Sequence, residues 1–477
     1  MELVLTGDPT IKFDSFVPIY NWIYPVSGSA SQRFRGESAA DVLQAVPIST
    51  SRALYLHIPF CETICSFCPF VRTTRHGDET VDPYVKALIE EINIKGKIKS
   101  LTDVPIRSVF WGGGTPSLLP PHHIVAIGNA LSENFDLQNC TEYSFEFEVK
   151  SVDAERVEAA RQIGVTHARF GAQTFSPKYR ELFTLTASLD QISNAALMLR
   201  EEFSHVSCDV LFGMHGEDEE TLLQDVESAA DLEISNLDFY PIDNLVTQPR
   251  LTRAFRAAGM APTSGLTKHY MNILVREALK ERGFLPHNGH GYVRVGSEEL
   301  DRCPVVTDQY SFVYHEHVLG YPSFDLLGFG VNAVSSFKGA TVQNDKSRDS
   351  YIRSLNEGRI PMSVAEHSAE IDASRPVALA LPYHGRIPTE WVDTNQVPRD
   401  VLRRLYNAIS HGLIEIDGSE LSLTRVGWEW YSTLMHYLLP SQERNALQVS
   451  LARGYADTSR DIESSGLDGF VFATAST

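Results

Sequence analysis

The sequence predicts an α/β fold, a partial (β/α)6 barrel preceded by an N-terminal arm and followed by a winged-helix-like cap. Three observations predict it. Between about residues 53 and 243, short apolar β-type runs alternate with longer amphipathic stretches, the rhythm of parallel βα units. A cysteine-rich loop follows the first run and a glycine-rich loop the second, and the C-terminal ends of parallel strands are where functional residues gather. Beyond about residue 375 the pattern changes to helix, hairpin and helix.

Taken in order, residues 1–50 are the arm, and Tyr20, Trp22 and Tyr24 make it too aromatic for a disordered leader. It is expected to fold against the barrel mouth. The barrel spans 51–245, with strands over 53–58, 106–111, 143–149, 167–173, 205–212 and 236–242. Val85, Leu88, Ile89 and Ile92 recur at helical spacing, as do Leu222, Leu223, Val226, Ala229 and Ala230, so these are crossover helices. Residues 246–370 read as a barrel extension and closing segment, with a helix near 265–282 and a Gly, His and Tyr-rich stretch ending at Val334. Residues 371–440 form the cap: a helix over 399–411 stops at Gly412, a hairpin turns at Asp417 and Gly418, and Thr424 caps a second helix. Without a basic face, this unit reads as a cover for the active site, not a DNA-binding module. Residues 441–477 are a tail, rich in Ser, Asp and Gly from about 454 and expected to be partly disordered.

With 477 residues, 43% of them hydrophobic and 10% aromatic, the chain can fill the core of a sizeable enzyme. Its formal charge of −20 argues against a nucleic-acid partner, whose footprint would be basic and clustered. Six cysteines do not make a disulfide framework here. The start carries no basic and apolar leader pattern, and no run reaches about 18 apolar residues, so the expected place is the cytoplasm, with no membrane partner.

Cys61, Cys65 and Cys68 give three thiolates where an iron-sulfur cluster takes four ligands, leaving one iron open. Structural zinc would need a fourth ligand; Cys140, Cys208 and Cys303 are single and scattered, but His57 could complete a Cys3His site. Three buried, unligated thiols are the bland alternative. Gly112, Gly113 and Gly114 follow the second strand, and three glycines in a row cost entropy unless the backbone must approach something closely. Glu146 and Glu148 alternate on the third strand and share a face opposite Phe145 and Phe147, either as used carboxylates or as a solvated strand end. His287, His290, His315 and His317 crowd one segment and are expected mainly as surface loop histidines, with base, substrate-contact or metal roles open.

The run YLHIPFCETICSFC at 55–68, followed by WGGGTP at 111–116, resembles the radical SAM superfamily, and the full wording resembles its coproporphyrinogen III oxidase-like (HemN-like) branch across roughly residues 15–440. The resemblance implies a 4Fe-4S cluster on Cys61, Cys65 and Cys68, with S-adenosylmethionine (SAM) on the open iron and reductive cleavage to a 5′-deoxyadenosyl radical. It implies SAM contacts from Tyr55, Phe67, Gly113, Gly114, Thr115 and Glu146, and contacts to a second SAM from Gln173, Asp209 and Val334. Two departures stand out. Leu185 occupies the place where the family usually carries an arginine, with Arg180 nearby as a substitute. Cys68-Pro69-Phe70 lacks the extra cysteine common in coproporphyrinogen oxidases proper.

The missing thiol turns the expectation toward the branch's class C methyltransferases and cyclopropanases. These would use two SAM molecules to transfer a methylene to an sp2 carbon of a small aromatic or heteroaromatic substrate, in natural-product biosynthesis. Implied partners are an electron donor such as flavodoxin or ferredoxin and, for the cyclopropanation route, a separate methyltransferase-like protein. The rival readings are an anaerobic coproporphyrinogen III oxidase or haem-modifying enzyme, and a haem-binding chaperone that has kept the fold.

Overall fold

The computed structural model describes residues 39–447 apart from 69, 75–76, 243–248, 262 and 303–304, together with residues 3–4, 12–13 and 24–25. Most of the expected N-terminal arm and the tail after residue 447 lie outside the described residues. The six strands expected of the barrel all form: β1 (Ser51–Ile58), β2 (Ile106–Gly113), β3 (Glu142–Phe147), β4 (His167–Gln173), β5 (His205–Phe212) and β6 (Asn236–Pro241). They lie side by side in chain order, each parallel to the next. Along β3, β4 and β6 apolar residues alternate with polar ones, as in Glu142–Phe147, so that one face of the sheet is apolar and the other carries polar groups. The covering helices include α1 (Asp78–Lys95), α2 (Pro121–Asn134), α3 (Ala154–Gln162), α4 (Pro177–Phe183), α5 (Leu189–Glu202) and α6 (Glu219–Ala230).

Residues after β6 lengthen this sheet at both edges. The hairpin β7 (Phe284–Pro286) and β8 (Gly291–Arg294) pairs antiparallel with β6. At the other edge β9 (Phe324–Phe329) runs parallel to β1, and β10 (Val334–Phe337), β11 (Ala340–Asn344) and β12 (Met362–Glu366) follow antiparallel. The result is a twelve-stranded, mostly parallel sheet whose order is β7-β8-β6-β5-β4-β3-β2-β1-β9-β10-β11-β12. The β9 junction is pinned by buried charge. Arg52 Nε and Nη2 each lie 2.6 Å from a carboxylate oxygen of Asp325. Glu91 on α1 pairs with Lys95 at 2.6 Å and accepts from Asn344, Tyr351 and the Gly330 N–H. Removing one partner of such a buried pair typically costs about 3–5 kcal/mol.

The C-terminal region has its own apolar core, built from Leu319, Val377–Leu381, Val401, Trp428, Tyr431 and Leu434 among others. Tyr24 belongs to it and donates a hydrogen bond to the Ile371 carbonyl at 3.0 Å, so this part of the chain start packs on the C-terminal region. Here a helix over Arg399–Ser410 lies in the chain between the first strand, Arg386–Pro388, and the other two, Ile414–Asp417 and Glu420–Leu423, of a three-stranded sheet. Thr424 caps the next helix by accepting from Gly427 N at 3.0 Å. Among the described residues no helix is long and apolar enough to cross a membrane.

Candidate active site

The cysteine loop leaves β1 at its C-terminal end, and the glycine segment leaves β2 beside it. Gly114 N donates to the Ile58 carbonyl at 2.8 Å, and Thr115 Oγ1 lies 3.8 Å from Cys61 Sγ. Each glycine is needed for a separate contact. A Cβ on Gly113, whose φ is +107°, would stand 2.5 Å from His57 Nδ1; on Gly114, 2.7 Å from the Ile58 carbonyl; on Gly112, 3.0 Å from a Glu146 carboxylate oxygen. The close approach that the glycines predict is therefore first to the protein itself: the turn is pressed onto the strand that carries the cysteines.

His57 is held through both ring nitrogens. Its Nε2 donates to the Val71 carbonyl at 2.8 Å, and its Nδ1 accepts from the Tyr55 hydroxyl at 3.0 Å. Burial lowers its pKa to about 4, which keeps it neutral. It braces the loop, and nothing draws it to the cysteines as a fourth ligand. Burial also pushes Cys61 up to about 11 and Cys65 up to about 12. These thiols hold their protons until a cation takes their place.

Inside the barrel, Tyr55, Glu146, Asp209, Tyr240, His290 and Tyr314 are surrounded by protein yet keep accessible surface, so they border an internal chamber. Arg169 lies at its floor and binds Asp209 and Asp238 at 2.9 Å each, with its guanidinium 4.8 Å from the Phe312 ring centre. Burial raises Glu146 to about 8, aided by Asp209 and opposed by Arg169 and the Gly113 N–H. It likewise raises Asp209 to about 6 against the pull of Arg169. Gln173 ends β4 at a bulge, with a φ of +66° rare for a side-chain-bearing residue, and its amide folds over Gly171. Bulges and left-handed residues of this kind cluster where a side chain must be re-aimed into a site.

A model of the Radical SAM superfamily matches residues 55–229. Anaerobilin synthase of Escherichia coli O157:H7 is 27% identical over 396 residues, covering 81% of this chain and 83% of that protein. The oxygen-independent coproporphyrinogen III oxidase of Paracoccus denitrificans is 25% identical and covers 73% of this chain and 76% of that protein. In fold, the structure of coproporphyrinogen III oxidase from Escherichia coli is similar at a TM-score of 0.70, with 20% identity over 85% of this chain and 93% of that one. Residues 55–229 thus match the radical SAM superfamily, and along most of its length the chain is similar to HemN-like proteins.

The superfamily's cofactors are a 4Fe-4S cluster and SAM, and the residues of this chain fit them. Cys61, Cys65 and Cys68 are free thiols on one loop at the chamber's mouth. Glu148 Oε2 and Arg72 Nε, which flank that loop, are sealed from solvent and have no hydrogen-bond partner, as expected of groups awaiting a ligand. Among the described residues no three His, Cys, Asp or Glu side chains converge to hold one metal ion. A cluster does not ask for that, because each thiolate takes a different iron.

The remaining site residues have protein contacts of their own. Glu148 lies just past β3, not within it. Phe67 packs edge to face on Phe183, 5.0 Å between centres, in a small apolar cluster with Tyr179, Met214 and Leu185. Val334 opens β10, and its backbone presses on Gly328. Arg180 is no substitute for the missing arginine at Leu185, because its guanidinium is spent on the carbonyls of Ala172 at 3.1 Å, Thr174 at 2.8 Å and Ala187. It instead holds the turn that follows Gln173.

The histidines are not on the surface. His287 and His317 are buried, and His290 and His315 are enclosed, because β7, β8 and the helix Val313–Val318 are covered by the C-terminal region. His317 is structural, tied to Ser51 and the Val313 carbonyl at 2.7 Å each. Arg169, Asp238, Tyr240, Tyr383 and Tyr431 escaped the sequence reading. Only the strand alternation of Arg169 with Gly171 and Gln173, and of Asp238 with Tyr240, could have signalled an inward polar row.

Proposed function

We propose that this protein is a HemN-like radical SAM enzyme acting on a tetrapyrrole. The observation that carries the reading is similarity over four-fifths of the chain to a protein named anaerobilin synthase and, over nearly three-quarters, to proteins named coproporphyrinogen III oxidase. A chamber walled by tyrosine, phenylalanine and histidine rings supports it, since flat conjugated ligands favour aromatic surroundings. Cys61, Cys65 and Cys68 would hold the cluster, and Tyr55, Phe67, Gly113, Gly114, Thr115 and Glu146 would surround SAM. When bound, these groups supply a 5′-deoxyadenosyl radical that abstracts hydrogen. Glu146 is set to give up its proton on meeting the cationic SAM, since its raised pKa leaves it partly protonated near neutrality. Arg169 fixes Asp209 and Asp238 on the chamber floor. The tyrosine rings around the chamber would limit the entry of water.

A second reading, methylene transfer from a second SAM to an sp2 carbon, draws on two observations. Gln173 ends β4 at a bulge beside β5, the strand that carries Asp209, and the resemblance implies contacts to a second SAM from both and from Val334. Phe70 stands where the oxidases carry a further cysteine, and Arg169 is already paired twice, so it is not free to grip a propionate.

The test is anaerobic reconstitution, followed by reduction with flavodoxin or ferredoxin and SAM labelled with deuterium on its methyl. Haem, coproporphyrinogen or a small heteroaromatic is offered as substrate, and the products are weighed. Decarboxylation of coproporphyrinogen with unlabelled 5′-deoxyadenosine would favour the oxidase. Deuterium in 5′-deoxyadenosine with carbon added to the tetrapyrrole would favour methylene transfer to it. Modification of the heteroaromatic alone would overturn the tetrapyrrole reading, and haem binding without SAM cleavage would overturn the enzyme reading in favour of a chaperone.

A further inference from the structure

The inner side of α1 buries Val85, Leu88 and Ile92, yet it also buries three polar side chains, Tyr84, Glu91 and Lys95, which stand at i, i+7 and i+11 and so form one row along the helix. Each grips backbone at the end of β9. Lys95 Nζ donates to the Gly328 carbonyl at 2.6 Å, Glu91 accepts from Gly330 N at 2.8 Å, and the Tyr84 hydroxyl accepts from Val331 N at 3.1 Å. Tyr84 also reaches β1: the same hydroxyl donates to the His57 carbonyl at 2.6 Å, and its ring meets Phe60 edge to face, 5.4 Å between centres. It thus holds both ends of the stretch from His57 to Phe60 that leads into Cys61. Gly330, with a φ of +97°, makes the junction possible, since a Cβ there would stand 2.5 Å from the Tyr84 hydroxyl and 2.6 Å from the His57 carbonyl. A buried, hydrogen-bonded polar row is a weak source of stability beside well-packed apolar side chains, and its best-attested use is to fix register.

We propose that Tyr84 is a positioning residue whose hydroxyl locks the cysteine loop to the turn between β9 and β10, so that SAM binding beside Cys61 and the order of the turn that leads to Val334 depend on each other. This rests on the radical SAM reading of the cysteine loop and is independent of the substrate. Because coupling between two sites is reciprocal, loss of the hydroxyl weakens SAM binding and also releases the turn from its dependence on SAM.

The experiment compares the full-length wild type, reconstituted anaerobically, with two variants. Tyr84→Phe keeps the ring on Phe60 and removes only the hydroxyl. Tyr24→Phe removes a hydroxyl that donates to a backbone carbonyl in the C-terminal region, and controls for the plain loss of a buried hydrogen bond. SAM affinity is read from the electron paramagnetic resonance of the reduced cluster, and the state of the turn from hydrogen exchange at the Val331 amide. In the wild type, adding SAM should slow that exchange several-fold. Tyr84→Phe should retain its iron, bind SAM at least about fivefold more weakly and lose the SAM-dependent protection. Tyr24→Phe should unfold at a lower midpoint with wild-type SAM affinity. A Tyr84→Phe protein that keeps either wild-type SAM affinity or the SAM-dependent protection would overturn the proposal, as would an equal loss of SAM affinity in both variants. In case Tyr84→Phe does not fold, wild-type exchange decides by itself, and a Val331 amide indifferent to SAM would overturn the proposal while leaving the radical SAM reading standing. A wild type that forms no cluster would overturn both.

Discussion

Gly114→Ala tests whether the glycine segment and the cysteine loop are one rigid unit. The new Cβ would sit 2.7 Å from the Ile58 carbonyl oxygen, and 2.8 Å from the Phe60 oxygen and from the Pro59 carbonyl carbon. All three are backbone atoms, so no side-chain rotation relieves the clash. The chain must separate by several tenths of an ångström, weakening the 2.8 Å bond from Gly114 N to the Ile58 carbonyl. Losing that bond costs about 0.5–1.5 kcal/mol, and the overpacking costs about 1–3 kcal/mol. A total loss of about 2–4 kcal/mol is expected. Because the displaced atoms adjoin Cys61 and Thr115, iron retained after anaerobic reconstitution should fall as well. The comparison is Gly259→Ala, where φ is +69° but nothing lies within 4 Å of the new Cβ, so only the backbone penalty of about 1 kcal/mol applies. Denaturant unfolding and iron analysis of both variants check this. A Gly114→Ala protein within about 1 kcal/mol of wild type and fully loaded with iron would refute the reasoning.

Cys65→Ala should abolish both the cluster's visible absorbance and SAM cleavage, read as iron content and 5′-deoxyadenosine; retention of either defeats the assignment. Arg169→Met leaves Asp209 and Asp238 buried without their cation and should cost about 3–5 kcal/mol in denaturant unfolding, whereas a change below about 1 kcal/mol would mean the pairs are dispensable. Glu146 binds its proton more tightly folded than unfolded, so the cofactor-free protein should lose stability as pH rises from the ordinary 4.5 toward about 8. Glu146→Gln should flatten that decline in unfolding midpoints, and an unchanged slope would show that Glu146 is not its source. Arg180→Ala frees the carbonyls of Ala172 and Thr174 beside Gln173, so it should lower SAM affinity several-fold with little change in iron content; equal affinity would separate Arg180 from the site.

Much of the site's chemistry was legible in the sequence because it depends on spacing. The intervals between Cys61, Cys65 and Cys68, and the three glycines one βα unit later, fix ligand number and strand-end position through local chain geometry alone. The six strands were legible for the same reason, since apolar periodicity reports which face of an element is buried. The sequence did not reveal which elements would meet. Its short strands after residue 284 carry Gly, His and Tyr and resemble loops until they pair at the sheet edges. The histidines look exposed until the C-terminal region covers them, and Arg180 looks available until three carbonyls take its donors.

The sequence by itself determined the α/β alternation, the three-thiolate motif and hence the kind of cofactor, because these follow from local period and residue chemistry. Only the tertiary structure decided the chamber: which carboxylates Arg169 neutralises, which pKa values burial moves, and which backbone groups Tyr84 joins. Those are set by contacts between residues far apart in the chain, such as Tyr84 with His57 and Val331, and no local pattern encodes them.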